Sequence, residues 1–146
     1  MSVYGANEVI AKFGKVSEQV DAAVIATTKK ATLQMQRFIK SDELSGQVLN
    51  RRTGRLSRSI QASFMQDKQS ITGRVGTNLV YARIHEFGGD IYPKRAKALR
   101  FEIDGRWIFS KHVHMPERPY LRPALKAESE KFLMQLKGSI NTAVNV

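Results

Sequence analysis

The sequence predicts an α+β fold: an antiparallel sheet of about four strands packed by long N-terminal and C-terminal helices, with a short helix at a corner. Three observations carry this expectation. An apolar stripe at steps of three and four runs without a proline through the first third of the chain. The middle alternates apolar and polar residues and contains Asp104-Gly105, a strong hairpin signal. A second helical stripe follows Pro119 and Pro123, which a helix tolerates in its first turn. The 146 residues suit a single domain, long enough for one core but not for two.

The first element is a helix over residues 9–44, with Phe13, Val16, Val20, Val24, Thr27, Ala31, Met35 and Phe38 on its apolar stripe. Lys12, Lys15, Glu18, Lys29, Lys30 and Arg37 fall mainly off that stripe, and Gly14 marks a break near the start. From Ser17 to Leu44 such a helix is about 40 Å long. That is long for so small a domain, so one end is expected to project or to serve as an assembly surface. Residues 45–59 form a basic loop in which Gly46, Asn50 and Gly54 are turn residues and Arg51, Arg52, Arg55 and Arg58 meet no acid. Guanidinium groups gathered on a loop suit phosphates or carboxylates, because both accept two parallel hydrogen bonds. Thr53 is expected to cap a single helical turn through Leu56.

The sheet and the short helix occupy residues 60–115. Ile60, Ala62 and Phe64 alternate with polar neighbours, Asp67 to Ser70 turns the chain, and Ile71, Gly73 and Val75 share one side of the returning strand. Thr77-Asn78 then leads into a short helix, Tyr81 to Phe87, stopped by Gly88. Tyr81, Ile84 and Phe87 are spaced to anchor that helix on the sheet. A basic run containing Lys94, Arg95 and Lys97 precedes the alternating Leu99, Phe101 and Ile103. Trp107 and Phe109 continue the second arm towards Val113, and these aromatics read as the buried face of a sheet. The C-terminal helix covers residues 119–140, with Leu121, Leu125, Phe132, Leu136 and Ile140 along one stripe. Residues 141–146 read as a loose tail.

Composition narrows the function classes. The hydrophobic share of 42% and charged share of 25% are those of an ordinary folded protein. No apolar run approaches the roughly 20 residues that span a bilayer, so no membrane partner is expected. The N-terminal stretch lacks the basic start, apolar centre and cleavage site of a signal peptide, which reads as a cytosolic origin. With no cysteine, disulfide frameworks, thiolate metal sites and cysteine nucleophiles are excluded. The net charge is +11, and the stretch from Arg51 to Arg122 holds 15 basic against 6 acidic residues. Such an excess implies a polyanionic partner or acidic protein surfaces.

Candidate chemistry is thin. His85-Glu86 resembles half of a zinc-protease helix, but Gly89 stands where the second histidine is required. His112 and His114 share one strand face, and a zinc site would need a third ligand from His85, Glu86 or Glu117. Glu86 with Asp90 or Glu102 has no spacing that marks an acid/base pair, and glutamates among arginines more often form ion pairs. No serine sits in a G-x-S-x-G elbow. No catalytic residue, cofactor or metal is therefore expected. Gly73-Arg74-Val75-Gly76 has the GXXG spacing of a KH domain, but the residues before it read as a strand rather than a helix. Sequence-nonspecific nucleic-acid binding through the basic centre stays open.

Four landmarks in order carry a resemblance: Thr53-Gly54-x-Leu56, Tyr81-Ala82-x-Ile84-x-Glu86-x-Gly88, the basic stretch from Pro93 to Leu99, and Arg118-Pro119-Tyr120-x-x-Pro123-Ala124. Over about residues 52–125 the chain closely resembles the small neck proteins of tailed bacteriophages, also called head–tail joining, tail-completion or virion-morphogenesis proteins. The resemblance implies a non-enzymatic structural protein of a phage or prophage, made in the bacterial host cytoplasm and ending in the virion neck or tail. It further implies self-association into a ring, partners on the head-connector and tail sides, and no cofactor. Arg51, Arg52, Arg55 and the run Lys94, Arg95 and Lys97 are then expected to meet acidic surfaces of partner rings, or to line the DNA passage. Glu86 is expected to pair with a nearby arginine, within the subunit or across to the next.

Overall fold

The computed structural model describes residues 6–47 and 53–145, and its architecture is α+β, with long helices near both ends and small antiparallel ladders between them. Helix α1, Ala6–Phe38, has 33 residues and is about 50 Å long. It starts earlier than residue 9 and runs on into a π-helical segment, Ile39–Gln47, in place of a regular helix to residue 44. The wider winding has a packing reason. Ile39 and Leu44, both buried, are five residues apart, which is about 140° around an α-helix but close to one turn of a π-helix.

Helix α4, Leu121–Val144, lies antiparallel to α1: Thr27 Oγ1 donates to Ser139 Oγ at 2.8 Å, while Lys131 Nζ sits 5.6 Å from the Phe38 ring centre. Residues 141–144, expected as part of a loose tail, are helical, and the Asn145 N–H closes the last turn on the Asn141 carbonyl. Half-buried Ile140 and Ala143 extend the inward stripe and hold that turn in place. Leu125 is exposed instead of facing in, because the buried position of that turn is taken by Ala124. Since Thr27 stands opposite Ser139 and α4 ends at Val144, α1 runs on past the end of α4 for roughly 15 residues, about 24 Å. On that extension Phe13 is 72% exposed, so the expected stripe is covered only from Val16 onward.

The strands form three separate two-stranded antiparallel ladders, not one sheet of about four. They are β1 (Gln61–Gln66) with β2 (Ile71–Gly76), β3 (Gly89–Ile91) with β6 (Val113–Met115), and β4 (Leu99–Ile103) with β5 (Arg106–Ser110). The first ladder lies against α1. A Cβ at Gly73 would stand 1.9 Å from Thr32 Oγ1, so glycine is what lets β2 approach the helix. The Gly73-to-Gly76 stretch thus lies in a strand that packs on a helix, not in a loop between helices. The β4–β5 hairpin closes through Asp104 and Gly105 with φ of 49° and 77°, a two-residue turn of the type that matches strand twist. No other described element packs extensively on it. Trp107 and Phe109 are consequently 55% and 67% exposed, which overturns the buried face expected for them.

The core is small and local. Ile39, Leu44, Ile60, Tyr120 and Ala124 are buried together, with Met35, Phe38, Leu56, Val75 and Leu121 packed around them. It forms where the end of α1, the π-helical segment, the start of β1 and the first turn of α4 meet. Gly73→Ala is expected to cost about 1–3 kcal/mol through overpacking. Urea unfolding should show part of that loss recovered in a Thr32→Ala background; an undiminished cost there would refute the contact as its cause.

Candidate functional site

The first landmark lies beside the core. Gly54 is buried with φ of 68°, a conformation that costs glycine nothing, and it leads into α2, Arg55–Ser59. Thr53 Oγ1 accepts from the Arg55 N–H at 3.3 Å, and the helix runs past Leu56 to Ser59. Leu56 points into the core while Arg58 Nη2 folds back onto the Thr53 carbonyl at 3.0 Å. Of the loop expected at residues 45–59, Ser45 to Gln47 instead end the π-helical segment and Arg55–Ser59 form α2; Arg51 and Arg52 lie outside the described residues.

The second and fourth landmarks, far apart in sequence, meet. Helix α3, Ala82–Phe87, buries Ala82 and Glu86, which are four residues apart on one face. Tyr81 and Phe87 are exposed and Ile84 is half-buried, so the expected Tyr81–Ile84–Phe87 anchor is replaced by Ala82 and Glu86. The physical reason is the target of Glu86. Its Oε2 accepts from the N–H groups of Tyr120 and Leu121 at 2.8 and 2.9 Å. Its Oε1 accepts from the Arg122 N–H at 3.0 Å and from Arg122 Nε at 3.2 Å.

This geometry completes the start of α4. A helix leaves its first four N–H groups without intrahelical acceptors. Here Tyr120, Leu121 and Arg122 give theirs to one carboxylate, and the fourth position is Pro123, which has none to give. The negative charge also faces the positive end of the helix dipole. Arg122 clasps the joint from outside: its Nη2 donates to the Glu86 carbonyl at 2.8 Å and to Glu117 Oε2 at 3.0 Å, and its guanidinium lies 5.2 Å from the Phe87 ring centre. The arginine that Glu86 meets is thus Arg122, within the same chain. Gly88, with φ of 65°, presses on the chain before α4; a Cβ there would stand 2.8 Å from the Glu117 nitrogen and 3.0 Å from the Met115 carbonyl. Nearby the His85 carbonyl accepts from the Arg118 N–H at 2.7 Å.

Electrostatics follow from these contacts. Burial alone would raise the Glu86 pKa, but the three backbone N–H groups and the Arg122 side chain outweigh it and hold the carboxyl below its ordinary value. Glu43, also buried, is pushed up by desolvation and then by the charges of Asp42 and Glu86. The His85 imidazole is lowered by burial and by the Arg118 charge. The Tyr120 hydroxyl is pushed up to about 12 by burial first, then by Glu86 and Tyr81, and it meets no hydrogen-bond partner among the described residues. Glu86 has both oxygens occupied by donors, which makes it a capping group rather than a proton acceptor. It does not join Asp90 or Glu102: Asp90 binds histidines, and Glu102 is exposed on β4.

The two other histidines meet on one oxygen. Asp90 Oδ1 hydrogen-bonds His112 Nε2 at 2.7 Å and His114 Nδ1 at 2.8 Å, across the β3–β6 ladder. His114 first, then His112, holds the Asp90 carboxyl below its usual range. Neither His85, Glu86 nor Glu117 completes this pair as a third ligand, since Glu86 and Glu117 are engaged by Arg122. Among the described residues no group of three or more such side chains is arranged to hold a metal. Arg55 and Arg58 stand exposed on α2, and Lys94, Arg95 and Lys97 in the connection from β3 to β4. None of these five pairs with an acid among the described residues.

Sequence reasoning reached Ala82, Glu86, Pro119, Tyr120 and Pro123 as landmark positions but missed Arg122, and it considered Glu117 as a zinc ligand rather than as a partner of Arg122. The available signal was the pair of prolines enclosing three N–H donors that need an acceptor; nothing in the spacing shows that the acceptor lies 34 residues upstream.

This small α+β scaffold fastens one helix to another through a buried charge. Its class is set by comparison: the model of the phage virion morphogenesis family matches residues 26–138, and the chain belongs to that family. No curated protein and no solved structure matched the chain. The protein is accordingly a phage structural and assembly protein and a virion component. No helix among the described residues is long and apolar enough to cross a membrane.

Glu86→Gln is expected to cost about 2–4 kcal/mol near neutral pH, because a neutral amide replaces a charged acceptor for buried donors. A depressed carboxyl stabilises fully above its unfolded value, here 4.5, and that contribution disappears as pH falls through the folded value. The stability gap between the two proteins should therefore shrink on acidification below about pH 4.5. Glu43 titrates in both proteins; the part of its upward shift that comes from burial and Asp42 cancels in the difference, while the part due to Glu86 is relieved in the variant. Chemical denaturation across pH 3–7 checks this; a gap that stays constant would show that the charge of Glu86 does not matter.

Proposed function

We propose that this protein is a structural subunit of the phage neck, joining head to tail or completing the tail, and that it works as a ring of identical copies. Family membership over residues 26–138 is the observation that carries the reading. The site's construction supports it: the Glu86 carboxylate and the Arg122 guanidinium are consumed in fastening α3 to α4. The family landmarks Thr53, Gly54, Leu56, Tyr81, Ile84, Glu86, Gly88, Arg118, Pro119, Tyr120 and Pro123 mainly build the subunit. The exposed, unpaired cations Arg55, Arg58, Lys94, Arg95 and Lys97 provide contacts to acidic faces of the neighbouring virion proteins, together with Arg51 and Arg52. The same uncompensated charge favours, as a second reading, sequence-nonspecific contact with DNA.

Electron microscopy of particles assembled without this protein tests the neck reading. Full heads beside finished but separate tails are expected; normally joined particles would overturn it. Replacing Arg55, Lys94, Arg95 and Lys97 with glutamate should leave the subunit folded but prevent joining. Retention of the isolated wild-type protein on DNA, falling steeply with salt, would favour the second reading instead.

A further inference from the structure

Two parts of the chain lack a layer to pack on, and they leave the body at opposite ends. One is the N-terminal extension of α1, beyond the C-terminal end of α4. The other is the β4–β5 arm, which springs from between β3 and β6 beside the N-terminal end of α4, where Gly88 and Met115 meet. Cross-strand pairing puts Phe101 beside Ile108 on one face of the arm, with Trp107 and Phe109 on the other. Both faces therefore carry large apolar side chains, the second shared with Glu102 and with Arg100, whose guanidinium lies 3.9 Å from the Trp107 ring centre. An isolated two-stranded hairpin of this kind is marginal in water until something such as a helix covers it.

Surface area gives the scale of what is missing. The chain exposes 11515 Å², whereas a compact monomer of 16.5 kDa exposes about 7,500 Å². An excess of about 4,000 Å² is several times the roughly 800 Å² that each partner contributes to a standard interface. Charge selects the pairing. Residues 92–112 carry Lys94, Arg95, Lys97, Arg100, Arg106 and Lys111 against Glu102 and Asp104. The α1 extension, residues 6–21, carries Glu8, Glu18 and Asp21 against Lys12 and Lys15, so it is net acidic in a chain of net charge +11. It also presents Ile10 and Phe13, its most exposed apolar side chains.

We propose that the β4–β5 arm of one copy docks on the N-terminal extension of α1 of the next copy, covering Trp107 and Phe109 with Ile10 and Phe13. The inference rests on the ring-forming role proposed above and names the contact that closes the ring. Two different patches at opposite ends make a head-to-tail contact, which propagates around a ring instead of stopping at a two-fold dimer. The helix supplies the layer the hairpin lacks; of its charged residues only Asp21 lies on the Ile10–Phe13 side, while Lys12 and Lys15 lie on the other, so this face does not repel the basic arm.

The chain has no cysteine, so a Phe13→Cys, Phe109→Cys double variant gives an unambiguous test, and both side chains are exposed enough to replace without disturbing the core. In assembled virions under oxidising conditions this variant should form a ladder of disulfide-linked multimers on a non-reducing gel, while each single variant should not. Absence of the ladder, or equal ladders from a single variant, overturns the docking. Trp107, the only tryptophan, offers a second readout. Wherever copies of the full chain associate, acrylamide quenching of Trp107 should fall severalfold, and Ile10→Asp with Phe13→Asp should restore it. Association with Trp107 still quenchable, or protection surviving in that variant, overturns it too. Immunolabelling of the same virions separates the two readings: label at the neck without a ladder defeats only the docking, and label away from the neck defeats the neck role itself.

Discussion

The fold hangs on one buried carboxylate. Glu86 takes three backbone N–H groups and one guanidinium N–H at the point where α4 begins, so a six-residue helix fixes both the position and the direction of a 24-residue one. Hydrogen bonds to a buried charge are among the strongest a protein makes, and removing their acceptor strands several donors at once. With α4 fixed, Tyr120 and Ala124 enter the core, and α4 can lie along α1 as far as Ser139. Gly88 completes the joint by allowing the chain before α4 to touch the end of α3.

A core this small suits a part rather than a free-standing machine. Five buried apolar residues stabilise the junction, while the two extensions contribute little to the stability of the single chain. A virion component is not required to be compact alone, because packing against neighbours in a particle can supply burial. The same reasoning explains why large apolar side chains such as Phe13, Trp107 and Phe109 stand in water in an isolated copy. On the proposed neck reading, the basic surface would add selectivity for acidic neighbours and speed encounter with them.

Much of this was legible beforehand. The helical stripes gave α1 and α4, Asp104-Gly105 gave a hairpin, and the landmark residues gave the family that the match over residues 26–138 shows. The misses have a common cause. Alternation in Phe101, Trp107 and Phe109 reports a strand but not whether a second layer lies over it, and here none does among the described residues. Spacing of Tyr81, Ile84 and Phe87 suggested the wrong face of α3, because a glutamate is not read as a core residue until its donors are known. The break between Ser110 and Val113, which hands β6 to β3, has no marker in composition.

By itself, then, the chain's sequence determined what is local: helix and turn propensity, the glycines at turns, the excess of positive charge, and the order of the landmarks. Only tertiary structure decided what those landmarks do. Glu86 and the run from Tyr120 to Pro123 are separated by more than thirty residues, and a buried charge is tolerable only where its donors converge. That convergence is a property of the folded backbone. It turns Glu86, which beside His85 resembles half of a zinc-protease helix, into the joint that sets the long C-terminal helix in place.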